Sequence, residues 1–142
     1  MVQNVKRIRL DAIGDERGYL LPLEIGRGAV PFEVKRVYYM YGIPEEMGRG
    51  KHAHLDLRQL LVCIHGGCTV RCDYGNRVVE EHRLDAPDQG LLIEGLVWRE
   101  MFDFEPETVL LVLADEHYED AAPKEIRNYD LFLAKVKEEM RQ

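Results

Sequence analysis

The sequence predicts an all-β sandwich or barrel followed by one amphipathic helix, and three observations carry that prediction. Up to about residue 115 the apolar residues come in short or alternating runs with no helical period. Each run is cut off by a turn signal such as Gly-Asp-Glu-Arg-Gly, Ile-Pro-Glu-Glu-Met-Gly, His-Gly-Gly, Tyr-Gly-Asn-Arg or Phe-Glu-Pro-Glu, which supply the positive or fixed φ that turns need. The period then changes: Tyr129, Phe132, Leu133, Val136 and Met140 recur every three or four residues, with charged residues between them.

Taken in order, the strand-like runs are 5–10, 19–23, 33–41, 58–64, 68–74, 77–84, 90–93, 97–102 and 108–114. Eight or nine strands on this spacing suit a sandwich or barrel. In the run 33–41, alternation puts Arg36, Tyr38 and Met40 on one face and Lys35, Val37, Tyr39 and Tyr41 on the other. Residues 115–128, rich in acids and holding Pro123, read as a surface connection. The terminal helix packs on the β-domain or on a partner subunit.

With 142 residues, the chain is expected to be one domain, 1–142, able to bury a core without staples. Its 19 basic and 26 acidic residues give a net charge of −7, which argues against nucleic acid or an anionic membrane as the main partner. There is no apolar run of spanning length and no signal-peptide pattern at the start, so a cytoplasmic protein is expected. Cys63, Cys68 and Cys72 have no zinc-like spacing and read as reduced strand residues.

Chemistry concentrates in Gly50-Lys-His-Ala-His54, which is expected to run straight into the apolar strand Leu60-Leu-Val-Cys-Ile64. With a side-chain period of two, His52 and His54 emerge on one face of a strand and can share a metal or a substrate. Many cupins begin a metal site this way, then add a carboxylate a few residues later and a third histidine on a later strand. Here Gln59 stands near the carboxylate position, and Trp98 and Arg99 stand where the third histidine is expected. Asp56 sits two residues after His54, while His65, His82 and His117 read as solvated. Without a metal, two imidazoles near their ordinary pKa of about 6.5 suit proton transfer at neutral pH. A purely hydrogen-bonding role in a half-buried strand is the bland alternative.

Around the pair, Arg49, Lys51 and Arg58 join Arg36, Tyr38 and Lys35 as a cationic and aromatic set in an otherwise acidic chain. That set points to a phosphorylated ligand held by side chains, because the chain has no Gly-rich phosphate loop.

The segments Lys35-Arg-Val-Tyr-Tyr39, Arg49-Gly-Lys-His-Ala-His54, Gln59-Leu-Leu-Val-Cys63, Gly66-Gly-Cys68, Asp73-Tyr-Gly-Asn76, Val97-Trp-Arg-Glu-Met101, Asp103-Phe104, Val112-Leu-Ala114 and Ile126-Arg-Asn-Tyr129 keep one order along the chain. In these segments the chain resembles the dTDP-sugar 3,4-ketoisomerases, also grouped as WxcM-like. The resemblance implies a cupin-type jelly-roll β-barrel with a C-terminal α-helix, acting as a homodimer without metal or organic cofactor. It implies isomerisation of dTDP-4-keto-6-deoxy-D-glucose to a 3-keto sugar, whose product passes to a 3-aminotransferase.

By motif position, His52 resembles the general base and His54 its partner. Arg49, Arg36, Tyr38 and Lys51 are then expected to hold the nucleotide. Tyr19 and Arg99 resemble the branch whose product keeps the gluco configuration at C4, and are expected to line the face that receives the proton. The segment Ala121-Ala-Pro-Lys-Glu125 departs from the family's usual approach to Ile-Arg-Asn-Tyr, so the resemblance assigns it no site role and leaves the question open. Two readings from other classes stay open at this level: a cupin domain that binds a nucleotide sugar without turning it over, and a metal-dependent cupin oxygenase.

Overall fold

A computed structural model describes residues 1–141. In chain order the strands are β1 (Gln3–Arg9), β2 (Ile13–Asp15), β3 (Gly18–Leu20), β4 (Arg36–Met40), β5 (Arg49–His54), β6 (Arg58–His65), β7 (Cys68–Asp73), β8 (Val79–Leu84), β9 (Gln89–Gly95), β10 (Trp98–Phe102), β11 (Val109–Ala114) and β12 (Glu125–Ile126). A short helix α1 (Tyr118–Ala121) precedes β12, and α2 (Tyr129–Met140) follows it. The pattern bears out the all-β expectation with its terminal helix.

Two five-stranded antiparallel sheets face each other, one in the order β1-β9-β6-β11-β4 and the other β12-β5-β10-β7-β8. Alternation within the strands fills the space between them. Leu61 and Cys63 of β6, Leu91 and Ile93 of β9, and Leu110 and Val112 of β11 meet Val70 and Cys72 of β7 and Met101 of β10. Cys63, Cys68 and Cys72 are free, buried thiols in this layer.

Both outer faces of the sandwich are also covered in part. Val30 and Phe32 lie over Leu60, Val62, Leu92 and Leu113 of the first sheet. On the second sheet α2 lays Phe132 and Val136 against Ala53, Leu96 and Trp98, so the helix packs on its own β-domain. Its start is set by Asn128, whose side chain accepts a hydrogen bond from the Leu131 backbone N–H at 3.0 Å.

Two departures matter for function. The histidine pair does not run into the apolar strand β6. It occupies a strand of its own, β5, in the other sheet, because residues 55–57 turn the chain between sheets and bury Leu57. Residues 13–20 form a separate hairpin, β2 with β3, that pairs with neither large sheet.

Candidate active site

The site begins with an irregularity in β5. Along β10 the register reads Arg99 opposite His52, then Glu100 opposite Gly50, so Lys51 is an extra residue with no partner. Lys51 takes up the shift with φ 61° and Gly50 with φ 87°. A Cβ on Gly50 would stand 2.8 Å from the Arg99 carbonyl oxygen, which reserves the position for glycine. Strict alternation would place Arg49 on the opposite face from His52. The bulge re-phases the strand, so that Arg49, His52 and His54 all line the interior.

The same bulge corrects the expectation for Lys51, which projects from the bulge into solvent and does not line the pocket.

The opposite wall comes from the first sheet. Arg36 and Tyr38 on β4 face inward, as alternation requires, and close a cavity of about 370 Å³ with Arg49, His52 and His54. A deeper cavity of about 90 Å³ continues from it, sharing Tyr38, Arg49 and His52 and adding Gln59 and Arg99. Three larger grooves, of about 810 Å³ and about 480 Å³ beside β1 and about 690 Å³ beside α2, contain neither histidine.

Arg99 is 1% exposed and ties the sheets together. Its Nη1 donates to Gln59 Oε1 at 2.6 Å, its Nη2 donates to the Val97 carbonyl at 3.0 Å, and Gln59 Nε2 donates to the Tyr38 hydroxyl at 3.0 Å. Among the described residues no carboxylate forms a salt bridge with Arg99, Arg36 or Arg49. An uncompensated buried guanidinium is costly, by several kcal/mol per ion after relaxation, so its retention points to an anion that completes it. Arg36 lies 5.1 Å from the Tyr38 ring centroid and 5.8 Å from that of Tyr118, and its Nε is buried without a partner.

Residues 115–128 are not the plain surface connection expected from their composition. They fold over the mouth of the cavity as α1 and β12, supplying Tyr118, Ala121, Ala122, Glu125 and Arg127 to its lining. β12 pairs with β5 so that Glu125 sits opposite His54, and its Oε1 comes within 3.6 Å of His52 Nδ1. Arg127 holds the other carboxylate oxygen at 3.1 Å.

The electrostatics separate the two imidazoles, whose rings meet edge-on with centroids 4.8 Å apart. Burial, then the charge of Arg99, then His52, Arg36 and Arg127, push His54 down to about 2. His54 is therefore neutral throughout the working range. Burial and Arg99 also hold His52 below the ordinary histidine value, but a hydrogen bond to the Gly50 backbone and the charge of Glu125 oppose them. Of the two, His52 is better able to carry a proton transiently.

Donor atoms of His52, His54 and Glu125 lie within 4.8 Å of one another, close enough to be drawn onto one ion. Yet the guanidinium groups of Arg99, Arg36 and Arg127 depress both imidazoles by their charge or stand beside them. Such a field opposes a divalent cation and favours an anion.

Of the sequence-predicted site residues, the fold thus gathers His52, His54, Arg49, Arg36, Tyr38 and Arg99, and leaves out Lys51 and Tyr19. Tyr19 is 84% exposed on the β2–β3 hairpin, because that hairpin stands off its own barrel. Glu125, Arg127, Tyr118 and the tethering role of Gln59 were not anticipated. The Ile-Arg-Asn-Tyr segment was a sign that the region matters, but a two-residue strand has no local signature.

The family model described as FdtA: WxcM-like, C-terminal, matches residues 3–137. The TDP-4-oxo-6-deoxy-alpha-D-glucose-3,4-oxoisomerase of Aneurinibacillus thermoaerophilus is 42% identical over 127 residues, spanning 89% of this chain and 88% of its own. A histidine-to-asparagine mutant of the 3,4-ketoisomerase QdtA from Thermoanaerobacterium thermosaccharolyticum, solved with TDP-4-keto-6-deoxyglucose, is similar with a TM-score of 0.90 and 39% identity over 97% of each chain. The TDP-quinovose 3,4-ketoisomerase WlaRB from Campylobacter jejuni is similar with a TM-score of 0.86 and 43% identity, covering 94% of this chain and 99% of that one.

Proposed function

The chain belongs to the WxcM-like family of sugar 3,4-ketoisomerases, and on that premise we propose that it converts dTDP-4-keto-6-deoxy-D-glucose to the 3-keto isomer in deoxysugar biosynthesis. The observation that carries the mechanism is the buried Arg99, with no salt bridge among the described residues, beside two imidazoles held below the ordinary histidine value. Moving a carbonyl from C4 to C3 requires loss of the C3 proton, passage through an enediolate and protonation at C4. His52 takes the C3 proton. Arg99 stabilises the negative charge that develops on oxygen, neutral His54 assists the enediol step as a hydrogen-bond partner, the C3 hydroxyl proton passes to the oxygen on C4, and C4 takes its proton from the His52 imidazolium, which exchanges with solvent. Arg36 and Arg49, at the open end, hold the diphosphate.

The gluco configuration at C4 is favoured. Quinovose is 6-deoxyglucose, and the likeness to a TDP-quinovose enzyme supports the assignment made from Tyr19 and Arg99. The reaction is tested by incubating the protein with the 4-keto sugar and following the carbonyl carbon by NMR. A carbonyl signal at C3 with a gluco C4 supports the proposal, a galacto centre overturns the stereochemical part, and unchanged sugar overturns the reaction.

The exposed surface supports a homodimer. Ile13, Tyr19 and Leu20 on the hairpin are 65%, 84% and 63% exposed, and Val37, Tyr39 and Tyr41 on the outer face of β4 are 57%, 62% and 70% exposed. These are two separate exposed apolar groups, and exposed apolar groups of this kind suit a partner surface. A hairpin standing off its own barrel is also placed to carry Tyr19 to a second copy. Sedimentation is expected to show a particle of twice 16.5 kDa, shifted toward monomer by Tyr39→Glu; a wild-type monomer at micromolar concentration contradicts the dimer. The product, a 3-keto sugar, suits a 3-aminotransferase as the next enzyme, and the three free cysteines suit a reducing, cytoplasmic setting.

A further inference from the structure

Glu125 belongs to a segment that has no part in the proton transfers just described, yet it is the carboxylate that meets the base. It arrives by cross-strand pairing, since β12 lies beside β5 in a register that puts Glu125 on the interior face with both histidines. Its side chain is 15% exposed and its two oxygens are divided, Oε1 at 3.6 Å from His52 Nδ1 and Oε2 at 3.1 Å from Arg127.

We propose that Glu125 is the positioning residue for His52, orienting the ring with Nδ1 protonated and Nε2 turned to the sugar, and stabilising the imidazolium formed when the C3 proton arrives. This rests on the isomerase reading. The step is balanced: the C3–H bond breaks, its electron pair enters the enediolate, its proton goes to Nε2, and the positive charge created on His52 faces Glu125. A separation of 3.6 Å is an ion-pair distance that shortens once the ring is charged, as contacts in unliganded catalytic sites do. His52 is also faced by Arg99 of β10, His54 and Arg49 of β5, Arg36 and Tyr38 of β4, Tyr118 of α1 and Arg127 beyond β12. Glu125 is the one carboxylate among these groups.

The test compares wild type, Glu125→Gln and Glu125→Asp by two readouts. His52 must be neutral to accept a proton, so kcat/KM falls as pH drops through its pKa. That acid limb lies below the ordinary histidine value in wild type, because His52 is already held down. Removing Glu125 removes a charge that raises it, so in Glu125→Gln the limb is expected to move lower still, by about one pH unit, the effect of an opposite charge at ~4–6 Å. The plateau is expected to fall about tenfold or more, part of the ~10²–10⁴ that a general base supplies, with Glu125→Asp intermediate in both. The second readout, NMR titration of the His52 imidazole in the free protein, needs no turnover and is expected to show the same downward shift. A folded Glu125→Gln protein whose His52 titrates as in wild type overturns the proposal; if that variant does not fold, an unshifted His52 in Glu125→Asp does so. Failure of wild type to isomerise the sugar overturns the isomerase reading and leaves the titration to judge Glu125 separately.

Discussion

His52→Asn is expected to lower kcat by about 10²–10⁴, the usual contribution of a general base, while KM for the nucleotide sugar changes little. Asparagine keeps a polar side chain of similar reach but cannot accept a proton, so only the chemical step suffers. Arg36 and Arg49, the groups proposed to hold the diphosphate, line the same cavity and are left in place by the substitution. Stability should move by no more than about 1 kcal/mol, because the His52 side chain is 20% exposed and its ion-pair partner Glu125 retains Arg127. His54→Asn is expected to behave differently. Held near 2, His54 never carries the proton as a cation at neutral pH, so its loss removes a hydrogen-bond partner of the enediol and leaves C3 deprotonation possible. Deuterium exchange at C3 in His54→Asn, and its absence in His52→Asn, is the expected contrast. Equal loss of exchange in both variants would contradict the assignment of the base.

Arg99→Met is expected to lower kcat by about 10²–10³, the effect of removing one donor that stabilises a developing oxyanion. The guanidinium is 1% exposed and forms no salt bridge among the described residues, although it feels the charge of Glu125. Methionine fills similar volume and relieves the burial of an unpaired charge, worth several kcal/mol. Against this, Gln59 Oε1 and the Val97 carbonyl lose their donor, at about 1–3 kcal/mol for each group left unsatisfied. The opposing effects are similar in size, so Tm should shift by only a few degrees while activity collapses. The pH profile supplies a sign. Arg99 is a cause of the lowered pKa of His52, so its removal raises that pKa and moves the acid limb of kcat/KM to higher pH. Glu125→Gln moves the same limb the other way. A variant of normal activity, or one simply unfolded, would contradict the role given to Arg99.

Much of this was legible in the sequence, for identifiable reasons. The strand runs and α2 could be read because burial on one face imposes a period, and for that same reason His52 and His54 share one wall of the cavity and Arg36 and Tyr38 the other. What escaped depends on register and on distant pairing. Local alternation gives no sign that Lys51 is the bulged residue of β5, since the shift is defined by what stands opposite on β10. Alternation by itself would have kept Arg49 out and treated it like Lys51. Glu125 escaped because two residues in an acidic segment become a strand only by pairing with β5, which lies some seventy positions earlier. Tyr19 was expected at the pocket and is found on an exposed hairpin that pairs with neither large sheet.

The central claim is that the histidine pair moves a proton between neighbouring carbons of a keto sugar. Its most direct measurement is incubation of wild-type protein with dTDP-4-keto-6-deoxyglucose in deuterated water, with the product read by NMR and mass spectrometry. The expected result is a 3-keto sugar carrying deuterium at C4, and no such product with His52→Asn. Sugar recovered bound but unchanged and unlabelled from the wild-type protein would contradict the account and leave a module that only binds.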